Sequence, residues 1–324
     1  MRTPHGAMLA LAAVLVMSAP AALAQQAQPS TWPTRQITFI APYAVGGGSD
    51  NLQRAAVIEA GKLLNQTIVY ENRPGGNSRL GINAIKNAPA DGYLITGALD
   101  GLLVVQPLVD ASYKLQPMQD YLPVAMQFQS ALAFIASGQK PFRDMAGLIA
   151  YARANPGKLN MAISIGGSSH VIAERIRNTG NIDITLIGYK GAAQSYVDLR
   201  AGRIDLVLAS DKNLVDGQLI ALATTGKERW SSLPNVPTLS EAGVPVAQTL
   251  WFGVVARLGT PPDVVAKLNR AFSGAVRTPE FTKRAEGTGY TIMPAWNPDE
   301  ITAFIKSEMT AMDPIIRKAN IKLE

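Results

Sequence analysis

Three short stretches combine flexible and hydroxyl-bearing residues in ways that could hold an anion. The first is Pro42-Tyr43-Ala44-Val45-Gly46-Gly47-Gly48-Ser49-Asp50. It follows an apolar run at 37–42 and opens a helical pattern over 50–64. Three glycines leave backbone N–H groups unobstructed, and a helix N-terminus adds positive potential, so the pair suits an anion. Asp50 has two readings here. As an N-cap it satisfies amides of the helix. As a ligand contact its charge suits an amine or a bridging water rather than a bare carboxylate. The second stretch is Ser164-Ile165-Gly166-Gly167-Ser168-Ser169-His170, again between an apolar run and a helical pattern. Ser168 and Ser169 can cap the helix or donate hydroxyls, and His170 either orients a ligand oxygen or packs against an opposing loop. The third is Tyr189-Lys190-Gly191-Ala192-Ala193, where Gly191 opens a helix and Lys190 is either a carboxylate partner or a solvated flank.

Other chemistries lack their residues. Gly46 and Gly48 do not make a dinucleotide fingerprint, because Asn51 stands where a third glycine is needed; no Lys-Ser/Thr pair makes a P-loop. No serine has glycine two residues before and two after, so there is no nucleophile elbow. The 324 residues contain no Cys and two His, His5 and His170. Disulfides, thiolate-bound metals and multi-histidine metal sites are excluded, and no cofactor is expected. The net charge of +6 is spread without aromatic interleaving, so no nucleic-acid partner is expected.

These loops need a frame, and the apolar pattern supplies one. Strands are expected at 37–42, 67–71, 93–98, 131–136, 159–164, 184–189, 204–209, 219–223 and 251–255. Helices are expected at 50–64, 143–155, 169–179, 192–201, 262–277 and 298–319. Such alternation predicts α/β architecture with mixed or parallel sheets flanked by helices, and two sheets suit this length. Ligands in such folds sit beyond the C-terminal strand ends, where all three loops fall. Trp251 and Phe252 are expected in the core or at a hinge, the alternative being a stack on the ligand. Upstream, residues 1–24 read as a secretory signal peptide: Arg2, an apolar run from Ala7 to Met17, and Ala22-Leu23-Ala24 before the cut. That run is too short to span a bilayer, and export to the periplasm is expected.

A set of ordered motifs carries a family resemblance. They are the Pro-aromatic-x-x-Gly-Gly-x-x-Asp loop with Arg54 four residues on, Glu71-Asn72-Arg73-Pro74-Gly75, Pro89-Ala90-Asp91-Gly92-Tyr93 and Ala154-Asn155-Pro156-Gly157-Lys158-Leu159. The Gly-Ser-Ser-His loop and Tyr189-Lys190-Gly191 follow. The last are Leu233-Pro234-Asn235-Val236-Pro237-Thr238, Glu241-Ala242-Gly243, Trp251-Phe252-Gly253 and Gly259-Thr260-Pro261-Pro262. Together, over residues 32–323, they resemble the Bug (Bordetella uptake gene) family, the periplasmic solute-binding proteins of tripartite tricarboxylate transporters.

The resemblance implies a two-lobed clamshell. One lobe takes 33–130 and 251–324, the other 131–250, with two chain crossings as hinge. It implies a non-enzymatic, monomeric receptor that captures a small organic carboxylate and hands it to membrane subunits. Amides, hydroxyls and ordered waters would hold the ligand. Carried over by position, the site is Tyr43, Gly48, Ser49 and Asp50 on one side and Ser168, Ser169, His170, Tyr189 and Gly191 on the other. A module feeding a sensor and an exported serine hydrolase using Ser168 are the competing readings. Three departures bear on the ligand. Asp100 stands where the family has a small polar turn; in the cleft it would disfavour a second carboxylate and favour a cationic or hydroxylated group, and otherwise it is an exposed turn residue. Asn77-Ser78 replaces Gly-Gly. The segment 211–217 is short, which could bring Asp211 to the ligand.

Overall fold

The computed structural model describes residues 31–324 except 77, 111–112, 114–117, 190–191, 211–213, 287 and 322–324. The leader, Lys190, Gly191 and Asp211 therefore lie outside the described residues. In chain order the elements are β1 (Ile37–Ala41), α1 (Gly48–Leu64), β2 (Ile68–Asn72), α2 (Arg79–Lys86), β3 (Leu94–Leu99), a π-helical turn (Gly101–Val105), α3 (Gln106–Val109), β4 (Tyr121–Ser130), β5 (Ala133–Ser137) and α4 (Met145–Ala154). Then come β6 (Asn160–Ile163), α5 (Ser168–Gly180), β7 (Thr185–Gly188), α6 (Ala192–Arg200), β8 (Leu206–Ala209), β9 (Leu219–Thr224), β10 (Leu250–Arg257), α7 (Pro262–Ala275), α8 (Pro279–Ala285), β11 (Tyr290–Ile292) and α9 (Pro298–Lys318).

Two mixed sheets result, in the orders β11-β4-β10-β3-β1-β2 and β7-β6-β8-β5-β9. In the first, β1 runs parallel to β2 and β3, while β10 is antiparallel to β3 and β4. In the second, β6 is parallel to β7 and β8, and β5 is antiparallel to β8 and β9. Their strands are near-continuous apolar runs because helices cover both faces. Phe39, Ile95 and Val254 pack on Val57 of α1 and Leu268 and Phe272 of α7. On the opposite face Trp251 and Val255 meet Ile301 and Ile305 of α9. In the second sheet Phe134 and Leu206 lie against Leu148, Ile172 and Ile176 of α4 and α5.

The chain passes from the first sheet to the second through Ala131 and Leu132, and returns over the segment between β9 and β10. The two passages are tied together. Leu132 N–H donates to Thr225 Oγ1 at 2.9 Å, and Thr225 N–H donates to the Leu132 carbonyl at 2.8 Å.

All nine expected strands are present, with ends shifted by a residue or two. β4 and β11 were not expected. β4 carries Pro123, Gln127 and Gln129, which break an apolar run. Pro123 is tolerated because the pairing of β10 with β4 shifts register beside it, between Val254 and Val255. Helix α1 begins at Gly48, two residues ahead of the expected start, and α5 at Ser168, one ahead.

Candidate functional site

The loops after β1 and β6 are built alike. Each has a glycine with positive φ, Gly46 at +93° or Gly166 at +68°, then an extended glycine as N-cap, Gly47 or Gly167. Glycine adopts the positive-φ position at no steric cost. In each loop that glycine's N–H donates to the side chain four residues on: Gly46 to Asp50 Oδ2 at 3.0 Å, and Gly166 to His170 Nδ1 at 3.2 Å. Because both N-caps are glycines, no cap side chain blocks the first amides of α1 or α5. The first helical turn leaves such amides without intrahelical partners, and the helix dipole favours a negative charge there.

This geometry changes the reading of Asp50. It is the third residue of α1, not the N-cap, and it is 1% exposed. Its carboxylate also accepts from Tyr70 OH at 2.8 Å and Asn72 Nδ2 at 2.7 Å, with Arg54 at 3.8 Å. Burial opposes ionisation, but the bonds from Gly46, Asn72 and Tyr70, with the Arg54 charge, together hold its carboxyl below the usual range. Two protein donors fall on Oδ1 and one on Oδ2, so this carboxylate helps to shape the loop. Tyr70 and Asn72, which complete this network, were missed by sequence reasoning; the Asn72 in the Glu-Asn-Arg-Pro-Gly motif was the available signal.

On the facing side, Ser169 Oγ accepts from Ser164 N–H at 2.9 Å and keeps its own proton for donation. His170 accepts at Nδ1, so the neutral ring carries its proton on Nε2, 3.9 Å from Glu174. Burial pushes its pKa down. Tyr189 donates its hydroxyl to Asp198 at 2.7 Å. Tyr43 has a buried hydroxyl beside Tyr70, and burial first, then Tyr70 and Asp50, push its pKa well up. Its ring meets Phe252 edge-on at 6.4 Å, and Phe252 continues to Phe128 and Tyr290. Phe252 thus belongs to an aromatic cluster of the first sheet, while Trp251 packs on Phe304 of α9.

The two loops meet the other sheet's strand ends. A Cβ on Gly48 would lie 3.1 Å from Tyr290 OH and 3.7 Å from Ser210 Oγ, which follows β8. Ser210 and Tyr290 share a hydrogen bond of 2.9 Å. At α5 a Cβ on Gly101 would lie 3.5 Å from Ser168 Oγ. Ser168 Oγ donates to Asp100 Oδ2. Asp100 is therefore not an exposed turn residue: it is 4% exposed and bridges the two sheets. The C-terminal ends of β1, β3, β6 and β8 thus converge on one place, where an open α/β sheet binds ligands. Ser210 and Tyr290 also escaped the sequence reading, since β11 has three residues and no pattern of its own.

A separate concavity between α4 and α5 is lined by Arg153, Glu174, Arg177 and Asp183. Arg177 pairs with Glu174 at 2.8 Å and Arg153 donates to the Gly180 carbonyl at 2.6 Å, so its cations are already engaged. Among the described residues no group of three potential metal ligands occurs, and no helix is long and apolar enough to cross a membrane.

Known proteins share this fold. BugT of Bordetella pertussis is 29% identical over 325 residues, covering 97% of this chain and 98% of that one. The structure of the periplasmic binding protein BugD superposes with a TM-score of 0.84 at 26% identity, over 90% of this chain and all of BugD. An R. palustris protein solved with adipate superposes equally well, TM-score 0.84, at 29% identity over 90% of this chain and 99% of that one. Residues 52–321 match the model of the tripartite tricarboxylate transporter family receptor, and the chain belongs to that family.

Proposed function

We propose that this protein is an extracytoplasmic receptor that captures a small organic carboxylate between the N-termini of α1 and α5. The observation that carries this is the repeated loop: two glycine-capped helix starts, each contacting a strand end of the opposite sheet. The carboxylate would take the first amides of both helices and the Ser169 hydroxyl. Hydrogen bonds to a charged group are each worth about 1.5–3 kcal/mol. Adipate in the R. palustris relative is consistent with an acid of this size. The sheet membership of β4, β5, β9 and β10 supports lobes of 33–130 plus 251–324 and 131–250, hinged at the paired passages. In this reading the leader is cut after Ala24, the mature monomer works in the periplasm, and its closed form engages membrane subunits of a tripartite transporter.

A hydrolase reading is less well supported. Ser168 donates to Asp100 and His170 Nδ1 accepts from Gly166, so neither forms a nucleophile–base pair with the other. A thermal-shift screen of organic acids, followed by calorimetry on Ser169→Ala, tests the receptor reading. Stabilisation by a carboxylate, weakened in the variant, is expected. Steady ester turnover lost in Ser168→Ala would overturn it.

A further inference from the structure

Helix α5 turns two faces to two cores. Ile172 and Ile176 pack into the core of its own sheet. Val171, fully buried, instead joins Leu102, Leu103, Ile301 and Ile305 of the π-helical turn and α9, on the other sheet's side. Ser168, Val171 and Arg175 share that second face by helical spacing. Arg175 donates to Gln248 Oε1 at 3.3 Å in the returning passage. Ser168 donates to Asp100, which ends β3 and is 4% exposed. The Asp100 carboxylate also takes the Gly101 and Asp100 amides.

A second acid stands on the same interface. Glu308 lies on the core-facing stripe of α9, between Ile305 and Met312, and supplies the largest charge effect on Asp100. Lys227, after β9, is the cation that acts on Glu308. His170 of α5 has Gly166, Glu174 and Arg177 of its own side about it. Where β3, α5 and α9 meet, a carboxylate is therefore covered by a hydroxyl and apolar side chains, with another acid acting on it. Covering it removes its hydration and adds repulsion, and the protonated form escapes both.

We propose that closing the two lobes on a carboxylate takes up a proton from solvent at Asp100, so that ligand capture is proton-linked. This rests on the reading of the molecule as a two-lobed receptor that closes on its ligand. Opening removes Ser168 and α5 from Asp100 and lets water reach it; closing dehydrates it. The proton enters on a carboxylate oxygen. The bond to Ser168 survives, because a hydroxyl serves as donor or acceptor. Asp100 is thus a positioning residue that sets the balance between open and closed forms.

The sign follows from the groups present. Burial pushes the closed-form carboxyl from 3.8 up to about 7, with Glu308 adding to the rise and the Ser168 bond and the two amides opposing it. Between those values the closed form holds a proton that the open form lacks, and the difference fades as pH rises through about 7. Glu308, also raised by burial, works in the same direction. His170 is lowered from 6.5 and is mostly neutral at neutral pH in either form.

Calorimetry with adipate, in two buffers of different ionisation enthalpy, counts the protons. At about pH 7 the wild type should take up about half a proton per adipate, falling to near zero at about pH 8.5. Asp100→Asn keeps the shape and an acceptor for Ser168, and should take up none at either pH. Glu308→Gln should fall between the two, and serves as the second variant if Asp100→Asn fails to fold. Small-angle scattering of the protein without adipate is the second measurement. The wild type should have a smaller radius of gyration at about pH 6 than at about pH 8.5, and Asp100→Asn the same radius at both. Adipate binding that Ser169→Ala weakens, but with no proton taken up, leaves the cleft standing and overturns the coupling. Uptake undiminished in Asp100→Asn, or in Glu308→Gln if only that variant folds, also overturns it. If adipate does not bind, a wild-type radius indifferent to pH overturns the proposal. If adipate binds and leaves the radius unchanged at every pH, the reading of a closing receptor is itself wrong.

Discussion

Asp50 and His170 do the same job in the two loops with different chemistry, and they respond differently to acid. Each accepts the N–H of a glycine four residues back. Asp50 adds two more buried or half-buried donors. Asp50→Ala strands all three and should cost about 2–4 kcal/mol in denaturant unfolding. Its folded pKa lies below the ordinary 3.8, so its contribution is fully present above that value. It is lost as pH falls through the lowered pKa. His170 is also lowered from its ordinary 6.5, by burial first, with Glu174 opposing and Arg177 reinforcing the shift. Protonating Nδ1 sets two N–H groups against each other, so the α5 loop should loosen as pH drops below the usual imidazole range. His170→Asn keeps an acceptor that does not titrate. The melting temperature of this variant should lose part of the wild-type decline between neutral and mildly acidic pH. Ser169→Ala belongs to the same scale: carboxylate binding should weaken by about 1–2 kcal/mol in calorimetry, with stability nearly unchanged.

At the level of elements, the start of each helix matters more than its length. α1 and α5 both end in a left-handed asparagine, Asn65 and Asn181, and both begin on a positive-φ glycine one residue before a glycine cap. Gly166→Ala places a Cβ in a left-handed backbone and should cost about 1–2 kcal/mol of stability. Gly48→Val acts differently. Its φ is unremarkable, but its Cβ would press on Tyr290 OH at 3.1 Å. That variant should melt close to wild type yet bind its carboxylate at least tenfold more weakly, because the contact between α1 and the β8 end is spoiled. Equal binding by calorimetry would place the ligand elsewhere.

For the whole molecule, two hydrogen bonds among the described residues span the sheets away from the covalent passages: Ser168 to Asp100 and Ser210 to Tyr290. The first joins the end of β3 to the start of α5 and the second joins the end of β8 to the first residue of β11, so both depend on the sheets being close. Tyr290→Phe removes one of them and should shift the balance toward an open form by about 0.5–1.5 kcal/mol. Small-angle scattering of the ligand-free variant should show a larger radius of gyration than wild type, and saturating ligand should restore it. An unchanged radius would mean that this bond does not hold the sheets together.

Sequence alone determined a good deal here. Apolar runs of five or six residues, separated by helical periodicity, placed nine strands within a residue or two, because burial on both faces of a sheet demands such runs. The glycine-rich loops were legible because few residues other than glycine suit a positive φ or an unobstructed amide. The motif order carried the family. Tertiary structure decided the rest. β4 was hidden because Gln127 is polar by type yet buried by partnership, Gln53 Nε2 donating to Gln127 Oε1 at 2.6 Å. Asp50 read as a cap or a ligand contact; that it also holds Tyr70 and Asn72, twenty or so residues away, on Oδ1 was set by the tertiary structure. Asp100 could have been a solvent-exposed turn residue. Its burial and its bond to Ser168, 68 residues along the chain, exist only because two separate sheets meet. Local pattern reports what one segment must bury; which polar groups satisfy one another across the fold is set by packing between segments distant in sequence.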